Sequence, residues 1–140
     1  MNEAETRAEL IDPQLRSVGW GVVEGSKILR ERHITKGKIQ AGGRGKPLIT
    51  DYILVYKNRQ LAVIEAKSNE LSVGEGVGQA KNYAEKLRLN FTYAANGKEI
   101  YQIEMNTGKE GLVNKFPTPE ELWNKTFTTP NEWEEKYYNS

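Results

Sequence analysis

Two short apolar runs in the middle of the chain constrain its fold more than any other feature. Residues 49–56 (ITDYILVY) and 61–67 (LAVIEAK) are rich in β-branched and aromatic residues, and only four polar residues separate them. This arrangement predicts a β-hairpin. Because each run contains three consecutive apolar residues, at 53–55 and at 62–64, we expect both strands to be covered on both faces, as at the centre of an α/β layer.

The composition excludes several classes of site. The chain has 140 residues, which suits one domain with a sizeable core, and it contains no cysteine and one histidine, His33. Disulfides, cysteine-bound zinc, thiol nucleophiles and two-histidine metal sites are therefore excluded. A serine-type triad would depend entirely on His33, which we predict to be a solvated loop residue.

No segment of the sequence is typical of a membrane or secreted protein. No apolar run approaches the roughly 18–20 residues that span a bilayer. The first twenty residues are too acidic for a signal peptide. We therefore expect a soluble, cytoplasmic domain with no membrane partner.

The first part of the chain predicts a helix followed by a short strand. Residues 3–18 place apolar side chains at helical spacing, and Gly19 would end the helix. Pro13 interrupts this pattern, so we expect a kink or a restart there, with Asp12 capping a second short helix. The apolar residues within 20–23 would begin the first strand.

Basic residues concentrate in one segment. Residues 27–46 contain seven lysines and arginines against one glutamate. The glycine-rich stretch 34–47 overlaps this segment and is typical of a loop. A local positive field favours a polyanion as partner, although a solvated basic loop is an equally good interpretation. The candidate contacts to such a partner are Lys36, Lys38, Arg44 and Lys46.

The second part of the chain predicts a helix, a hairpin and a further helix start. A helix over 73–88 would bury one stripe of side chains, and the dipeptide 96–97 (NG) would turn a hairpin between 91–95 and 98–105. The stripe on the helix over 73–88 consists of Val77, Ala80, Ala84 and Leu87. Further along the chain, Thr118 precedes proline and glutamate in a typical helix start. The order of elements predicts a mixed α/β core.

Three charged residues fall on the predicted central strands. Asp51 lies near the start of one strand, and Glu65 and Lys67 end the next, so a hairpin brings all three to the same end of the sheet. Strand alternation places Glu65 and Lys67 on one face. Asp51 joins them only if the hairpin contains a bulge or an odd-numbered loop, because a regular two-residue turn at 58–59 would pair Asp51 with Ala66. A functional cluster therefore predicts a bulge or an odd loop.

Such a cluster on buried strands is costly unless its members pair with one another or bind a metal ion. Asp51 and Glu65, with a backbone carbonyl such as that of Ala66, would suit Mg²⁺, which prefers oxygen ligands. The metal ion would polarise a phosphoryl oxygen, and Lys67 would orient the attacking water or stabilise the developing charge. The substrate would be a phosphodiester. The alternative is an ion-pair cluster with a purely structural role.

These residues resemble a known nuclease motif. Asp51 followed by the segment 64–67 (IEAK) is similar to the PD-(D/E)xK motif, with Thr50 where the motif has proline. The surroundings resemble the N-terminal nuclease domain of the type I restriction enzyme R subunit, the motor and cleavage subunit, over residues 2–124. The segments that carry this resemblance are 2–7 (NEAETR), 10–13 (LIDP), 19–20 (GW), 51–52 (DY), 62–67 (AVIEAK), 79–83 (QAKNY), 96–97 (NG) and 116–122 (FPTPEEL).

The resemblance implies a restriction-endonuclease-like α/β core, in which helices flank a central mixed β-sheet. It implies that Asp51 and Glu65 ligate Mg²⁺ and that Lys67 positions or activates the attacking water. An early glutamate would complete the metal site. Glu3 matches it, with Glu5 and Glu9 as competitors.

The resemblance also implies a role for a second motif. Gln79 and Tyr83 match the Gln-x-x-x-Tyr motif that follows the catalytic lysine in this family. Because they are four residues apart, they share a helix face that would approach DNA or brace the site. The alternative is an ordinary pair on a helix surface.

Finally, the resemblance implies a larger assembly. Residues 1–124 would form a Mg²⁺-dependent endonuclease domain that acts on double-stranded DNA, and the acidic residues 125–140 would lead to a motor domain that this chain does not contain. ATP would serve that motor only, and methyltransferase and specificity subunits would be partners. Two alternatives stay open, namely a stand-alone nuclease of the same fold and a non-catalytic DNA-binding or assembly module.

Overall fold

Six strands form one mixed β-sheet in the computed structural model, which describes residues 1–34 and 48–127. The strands are β1 (Ser26–Ile34), β2 (Leu48–Tyr56), β3 (Arg59–Ala66), β4 (Phe91–Ala95), β5 (Ile100–Glu104) and β6 (Glu110–Val113). Their order in the sheet is their order in the chain, with β3 and β4 parallel and every other neighbouring pair antiparallel. Helices cover both faces. This is the predicted α/β class, a central mixed sheet flanked by helices.

The β2–β3 hairpin closes through a two-residue turn. Lys57 and Asn58 form this turn, and both adopt left-handed backbone conformations, with φ of 50° and 66°. A type I′ turn requires positive φ at both central positions, and its twist matches that of the flanking strands. The hairpin predicted from the two apolar runs is confirmed.

A β-bulge inside this hairpin sets the register at the centre of the sheet. The pairing shifts between Leu54 and Val55, where β3 carries one residue that β2 does not match. Beyond the shift, the strands keep a pairing in which Asp51 takes the same face as Glu65 and Lys67. The predicted bulge is therefore present, although the turn itself has only two residues.

The N-terminal helical segment contains one wide turn. It comprises α1 (Glu3–Thr6), a π-helical turn (Arg7–Ile11) and α2 (Asp12–Ser17). The irregularity predicted near Pro13 is confirmed, but the prediction that Asp12 caps a second helix is wrong. The Asp12 N–H donates to the Arg7 carbonyl, so the helix continues through this point and has no free start that needs a cap.

Turns, and not the predicted strand, follow α2. Gly19 ends the helix with φ of +107°, as predicted. Trp20 is fully buried, and its indole Nε1 donates to the Pro117 carbonyl at 2.7 Å. The strand prediction for 20–23 is wrong because Gly21 and Gly25 adopt positive φ and turn the chain before β1 begins.

The helix predicted over 73–88 is confirmed and forms the crossover between the parallel strands. A short 3₁₀ turn (Val73–Gly76) leads into α3 (Val77–Leu87), and Arg88 ends the helix in a left-handed conformation. The side chains that α3 buries against β3 and β4 are Ala80, Tyr83 and Ala84. The predicted stripe holds at Ala80 and Ala84, whereas Val77 and Leu87 are half-buried.

The main core lies on the other face of the sheet. The N-terminal helical segment and α4 (119–127) cover this face. The Glu121 N–H donates to Thr118 Oγ1 at 3.1 Å, and the Thr118 N–H donates to the Glu121 carboxylate at 2.9 Å, so the predicted helix start is confirmed. The largest fully buried side chains include Ile11, Leu15, Trp20, Tyr52, Leu54, Ile64, Tyr93, Phe116 and Leu122.

The predicted hairpin around the dipeptide 96–97 is also confirmed. The Asn96 side chain accepts hydrogen bonds from the N–H groups of Lys98 and Glu99, and Gly97 adopts φ of +84°. Leu10 of the N-terminal helical segment lies directly against Gly97. The sequence did not predict β6, which is short and has two exposed residues out of four.

Some sequence predictions fall outside the described residues. The candidate contacts Lys36, Lys38, Arg44 and Lys46, most of the predicted loop at 34–47 and the residues after 127 belong to this group. His33 lies in β1 opposite Ile49, so its predicted loop position is wrong, because β1 pairs with β2 up to Ile34. The domain boundary at 124/125 stays a prediction. In the described part of the chain, no helix is long and apolar enough to cross a membrane.

Gly97→Ala should loosen the contact between the N-terminal helical segment and the β4–β5 loop. A Cβ at this position would lie 2.6 Å from Leu10 Cδ1, in addition to the unfavourable φ. We expect the free energy of unfolding, measured by urea denaturation, to fall by about 2–4 kcal/mol.

Gly108→Ala is the matched control. Gly108 also has positive φ, at +77°, but no heavy atom lies within 4 Å of the added Cβ. It should lower the free energy of unfolding by about 1–2 kcal/mol, the conformational cost alone. Equal losses in the two variants would contradict a tight contact at Gly97.

Candidate active site

The three predicted charged residues meet at one end of the sheet. Asp51 of β2 and Glu65 of β3 are 7% and 5% exposed, and Lys67, just beyond β3, is half-buried. All three are on the face that α3 covers, because the bulge aligns the alternation of the two strands. Two carboxylates and an ammonium group thus lie where burial makes uncompensated charge costly.

Two donors fix the Asp51 carboxylate. The backbone N–H of Ala66 donates to Oδ2 at 2.8 Å, and the Arg7 guanidinium donates to Oδ1 through Nη1, also at 2.8 Å. The first bond ties Asp51 to the end of β3, and the second ties it to the N-terminal helical segment. Asp51 is therefore held in one orientation by groups from two separate elements.

Glu65 has one buried oxygen, Oε2, without a hydrogen-bond partner among the described residues. Burial raises the pKa of Glu65 to about 9, and the adjacent Asp51 carboxylate acts in the same direction, whereas Lys67 opposes the shift. A buried carboxylate oxygen with no donor is one that a cation could satisfy.

Glu3 belongs to the same cluster. Burial raises the pKa of Glu3, the Asp51 carboxylate raises it further, and Lys67 and Arg7 lower it. The competitors do not reach this site. Glu5 accepts the Asn2 N–H in the capping box of α1, and Glu9 is exposed. The role of Glu3 in a metal site stays a prediction.

The described residues contain no group of three histidine, aspartate or glutamate side chains arranged to hold a metal ion. As placed, Asp51 and Glu65 could offer carboxylate oxygens, and Glu3 interacts electrostatically with Asp51 beside them. Two carboxylates with a carbonyl and several waters are the kind of donor set that Mg²⁺ uses.

The Gln79 and Tyr83 motif lies on α3, the helix that covers the face of the cluster. Gln79 Nε2 donates to the Tyr83 hydroxyl at 2.8 Å, and Tyr83 is buried beside Val63. Burial raises the pKa of Tyr83, and the negative charge of Glu65 raises it further, so the hydroxyl lies within electrostatic reach of the carboxylates. Gln79 itself is exposed. This geometry favours the bracing role for Tyr83.

Sequence reasoning missed Arg7. Its guanidinium contacts both Asp51 and Glu31, the latter at 3.1 Å between Nη2 and Oε1. A signal was available, because Arg7 follows Glu3 by four residues and therefore shares its helix face. The sequence analysis assigned Glu3 to the metal site and predicted no contact for Arg7.

Glu31 has an unusual backbone conformation for a strand residue. Its φ is +48°, although the pairing of β1 with β2 continues on both sides of it, from Arg30 opposite Tyr52 to Arg32 opposite Thr50. A non-glycine residue in the left-handed region costs about 1–2 kcal/mol. Such strain tends to occur near functional sites. No sequence pattern indicated it here.

Gly76 allows the chain before α3 to approach the cluster closely. A Cβ at this position would lie 3.4 Å from Glu65 Cγ and 3.4 Å from Lys67 Cγ. Gly76 belongs to the run 74–78 (GEGVG), whose glycines alone gave no prediction of this contact. The glycine thus leaves room for the stems of both charged side chains.

Comparison with known proteins gives the family. Residues 30–120 match the family model described as the second domain of the type I restriction enzyme EcoKI endonuclease subunit. The chain belongs to this family of type I restriction enzyme endonuclease subunits. The family predicted from the sequence is confirmed, and the match includes every candidate residue from Asp51 to Tyr83.

This endonuclease-subunit domain is similar to parts of two longer proteins. It is 31% identical over 137 residues to the type I restriction enzyme EcoAI endonuclease subunit of Escherichia coli, covering 89% of this chain and 16% of that protein. It is also similar to the fragment structure of a protein described as an HsdR subunit of a type I restriction enzyme from Vibrio vulnificus YJ016, with a TM-score of 0.78 and 36% identity over 89% of this chain and 25% of the other. The domain therefore spans about a sixth to a quarter of these relatives.

Glu65→Gln should change the pH dependence of stability of this endonuclease-subunit domain. Between the ordinary pKa of 4.5 and the folded value of about 9, the folded protein holds a proton at Glu65 that the unfolded chain releases. The stability from this group is therefore fully present below the lower pKa and is lost as pH rises towards the higher one. At about pH 8 and with a metal chelator present, thermal and urea unfolding should show the variant more stable than the wild type by about 1 kcal/mol or more.

At about pH 4 the difference should largely disappear, because the wild-type side chain is then protonated in both states. Glu99→Gln, an exposed carboxylate in the β4–β5 loop, is the control and should leave the profile unchanged. A constant difference between wild type and Glu65→Gln at both pH values would contradict the raised pKa.

Proposed function

We propose that this domain is a Mg²⁺-dependent endonuclease domain that hydrolyses phosphodiester bonds of double-stranded DNA, as the cleavage part of a type I restriction enzyme R subunit. The observation that carries the proposal is the buried Glu65 Oε2, which has no hydrogen-bond partner among the described residues and lies next to a second buried carboxylate on the same face of the sheet. The family match supports the endonuclease role at the level of the subunit.

The residues present fit a hard divalent cation. Asp51 and Glu65 would be the carboxylate ligands, and the backbone carbonyl of Ala66 would be a further one, while Glu3 would ligate after a side-chain movement. When bound, Mg²⁺ would polarise a phosphoryl oxygen and lower the pKa of a coordinated water. The unsatisfied oxygen of Glu65 is the structural observation that this assignment explains.

The remaining groups of the cluster have separate tasks in the proposal. Lys67, half-buried beside Glu65, would hold the attacking water or stabilise the charge that develops on the phosphate. Tyr83 would keep β3 and α3 in fixed relation at the site, with Gln79 on its hydroxyl. Precise positioning of this kind contributes strongly to catalysis.

The DNA contacts and the assembly are also part of the proposal. Lys36, Lys38, Arg44 and Lys46 would contact the DNA backbone, and they follow β1, whose Lys27 is exposed. Methyltransferase and specificity subunits would be partners of the whole enzyme. ATP would be needed only by a motor region outside this domain.

One observation favours the alternative of a non-catalytic DNA-binding or assembly module. Asp51 is already paired with Arg7, so part of the cluster is neutralised within the chain. In that alternative the charges would only hold the N-terminal helical segment to the sheet. A stand-alone nuclease of the same fold is the other alternative, and it would cut DNA efficiently without further domains.

Supercoiled-plasmid cleavage with Mg²⁺ or Mn²⁺ tests the proposal. The wild-type chain should nick and linearise plasmid only with a divalent cation, and chelation should abolish the reaction. Asp51→Asn, Glu65→Gln and Lys67→Met should each lower the rate by about 100-fold or more, since each removes a group that acts in the transition state.

Two substitutions of the same chemistry are the controls. Glu99→Gln and Lys86→Met change exposed residues away from the cluster and should keep the wild-type rate. Cleavage that survives all three substitutions in the cluster would contradict the assigned site. DNA binding that weakens steeply with salt, with no cleavage in any divalent cation, would support the non-catalytic module.

A further inference from the structure

Arg7 connects a buried carboxylate to an exposed one. The side chain of Arg7 is 20% exposed, that of Asp51 is 10% exposed, and that of Glu31 is 64% exposed. Nη1 contacts Asp51 at 2.8 Å and Nη2 contacts Glu31 at 3.1 Å, so one guanidinium reaches from the interior of the cluster to its rim. No other described ion pair involves Asp51.

The position of the guanidinium conflicts with the proposed metal site. Arg7 occupies Oδ1 of Asp51, and the Ala66 N–H occupies Oδ2, so both oxygens already have a donor. A divalent cation at Asp51 and Glu65 would lie close to the positive charge of Arg7 in a poorly solvated region, where like charges repel strongly. The two cations therefore compete for Asp51.

We infer that Arg7 is the internal cation that holds Asp51 before metal binds, and that the guanidinium releases Asp51 and keeps its contact with Glu31 when a divalent cation binds. This inference rests on the proposed function. Arg7 is then a positioning residue, which keeps the cluster folded without metal and lowers the apparent metal affinity. Glu31 is the acceptor that keeps the guanidinium at the mouth of the site.

The backbone around Arg7 is suited to a movement of the side chain alone. Arg7 begins the π-helical turn, and its carbonyl accepts both the Asp12 N–H and the Tyr52 hydroxyl, the latter at 3.3 Å. The side chain lines a cavity of about 210 Å³ next to Asp51, which leaves space for the guanidinium to turn. Glu31, which has the left-handed backbone conformation, lies next to Asp51 in the sheet, between the pairs Arg30–Tyr52 and Arg32–Thr50.

Calorimetric titration of Mn²⁺ into the chain near neutral pH tests the inference. Arg7→Gln should bind Mn²⁺ about tenfold more tightly than the wild type, because the competing charge is gone. Glu31→Gln should bind it about threefold more weakly, because the displaced guanidinium loses its acceptor. In the double variant, Glu31→Gln should change the affinity by less than about twofold, since Glu31 acts through Arg7.

Arg30→Gln is the matched control for a general effect of charge. Arg30 lines the same cavity and pairs with Asp12 at 3.2 Å, but it does not contact Asp51. Its removal should change Mn²⁺ affinity by less than about twofold if contact with Asp51 is what matters. Thermal unfolding of each variant without metal reports whether it is folded, and Arg7→Gln should unfold at a lower temperature than the wild type.

The outcomes separate this inference from the proposed function. Wild-type binding with unchanged or weaker affinity in Arg7→Gln overturns the inference and leaves the proposed metal site intact. An equal gain in Arg30→Gln also overturns it. No Mn²⁺ binding by the wild type or by any variant overturns both. If Arg7→Gln does not fold, Glu31→Gln decides alone, and unchanged affinity in that variant overturns the inference.

Discussion

The register of the β2–β3 hairpin decides which side chains meet at the end of the sheet. A two-residue turn alone would place Asp51 on the face opposite to Glu65, because strand side chains alternate. The bulge between Leu54 and Val55 changes this parity, so both carboxylates and Lys67 lie on the face of α3. The cluster therefore depends on one inserted residue in a strand. The strands that carry it are buried on both faces, and a slip of one residue would move every side chain to the opposite face.

Burial of these carboxylates creates a demand for positive charge. Three contributions supply it within the chain itself. Arg7 of the N-terminal helical segment pairs with Asp51, and Lys67 just beyond β3 lies beside Glu65. Burial raises the pKa of Glu65, so this side chain also retains a proton. A divalent cation would replace them with one compact charge. Stability and the proposed chemistry thus oppose each other at the same oxygen atoms.

Local patterns predicted the elements that local interactions determine. The β2–β3 hairpin, α3 and the capping box at Thr118 follow from residues that are neighbours in the sequence. Parity predicted a bulge or an odd loop once Asp51 was assumed to join the site, and the bulge is the one present. The contact between Arg7 and Glu31 could not be predicted in this way, because it joins a helix to a strand and Glu31 has a left-handed backbone conformation. The first strand was misplaced because glycine conformations, and not apolar residues, decide where the chain turns.

The anomalous scattering of Mn²⁺ in crystals of this chain tests directly whether Asp51 and Glu65 bind a metal ion. We expect one strong anomalous peak at about 2.0–2.3 Å from carboxylate oxygens of both residues, the range of hard-cation ligand distances. Data collected from the same crystals after chelation should lose the peak. Crystals saturated with Mn²⁺ that show no peak at these two residues, with the Arg7 guanidinium still on Asp51, would contradict the account and leave a structural ion-pair cluster.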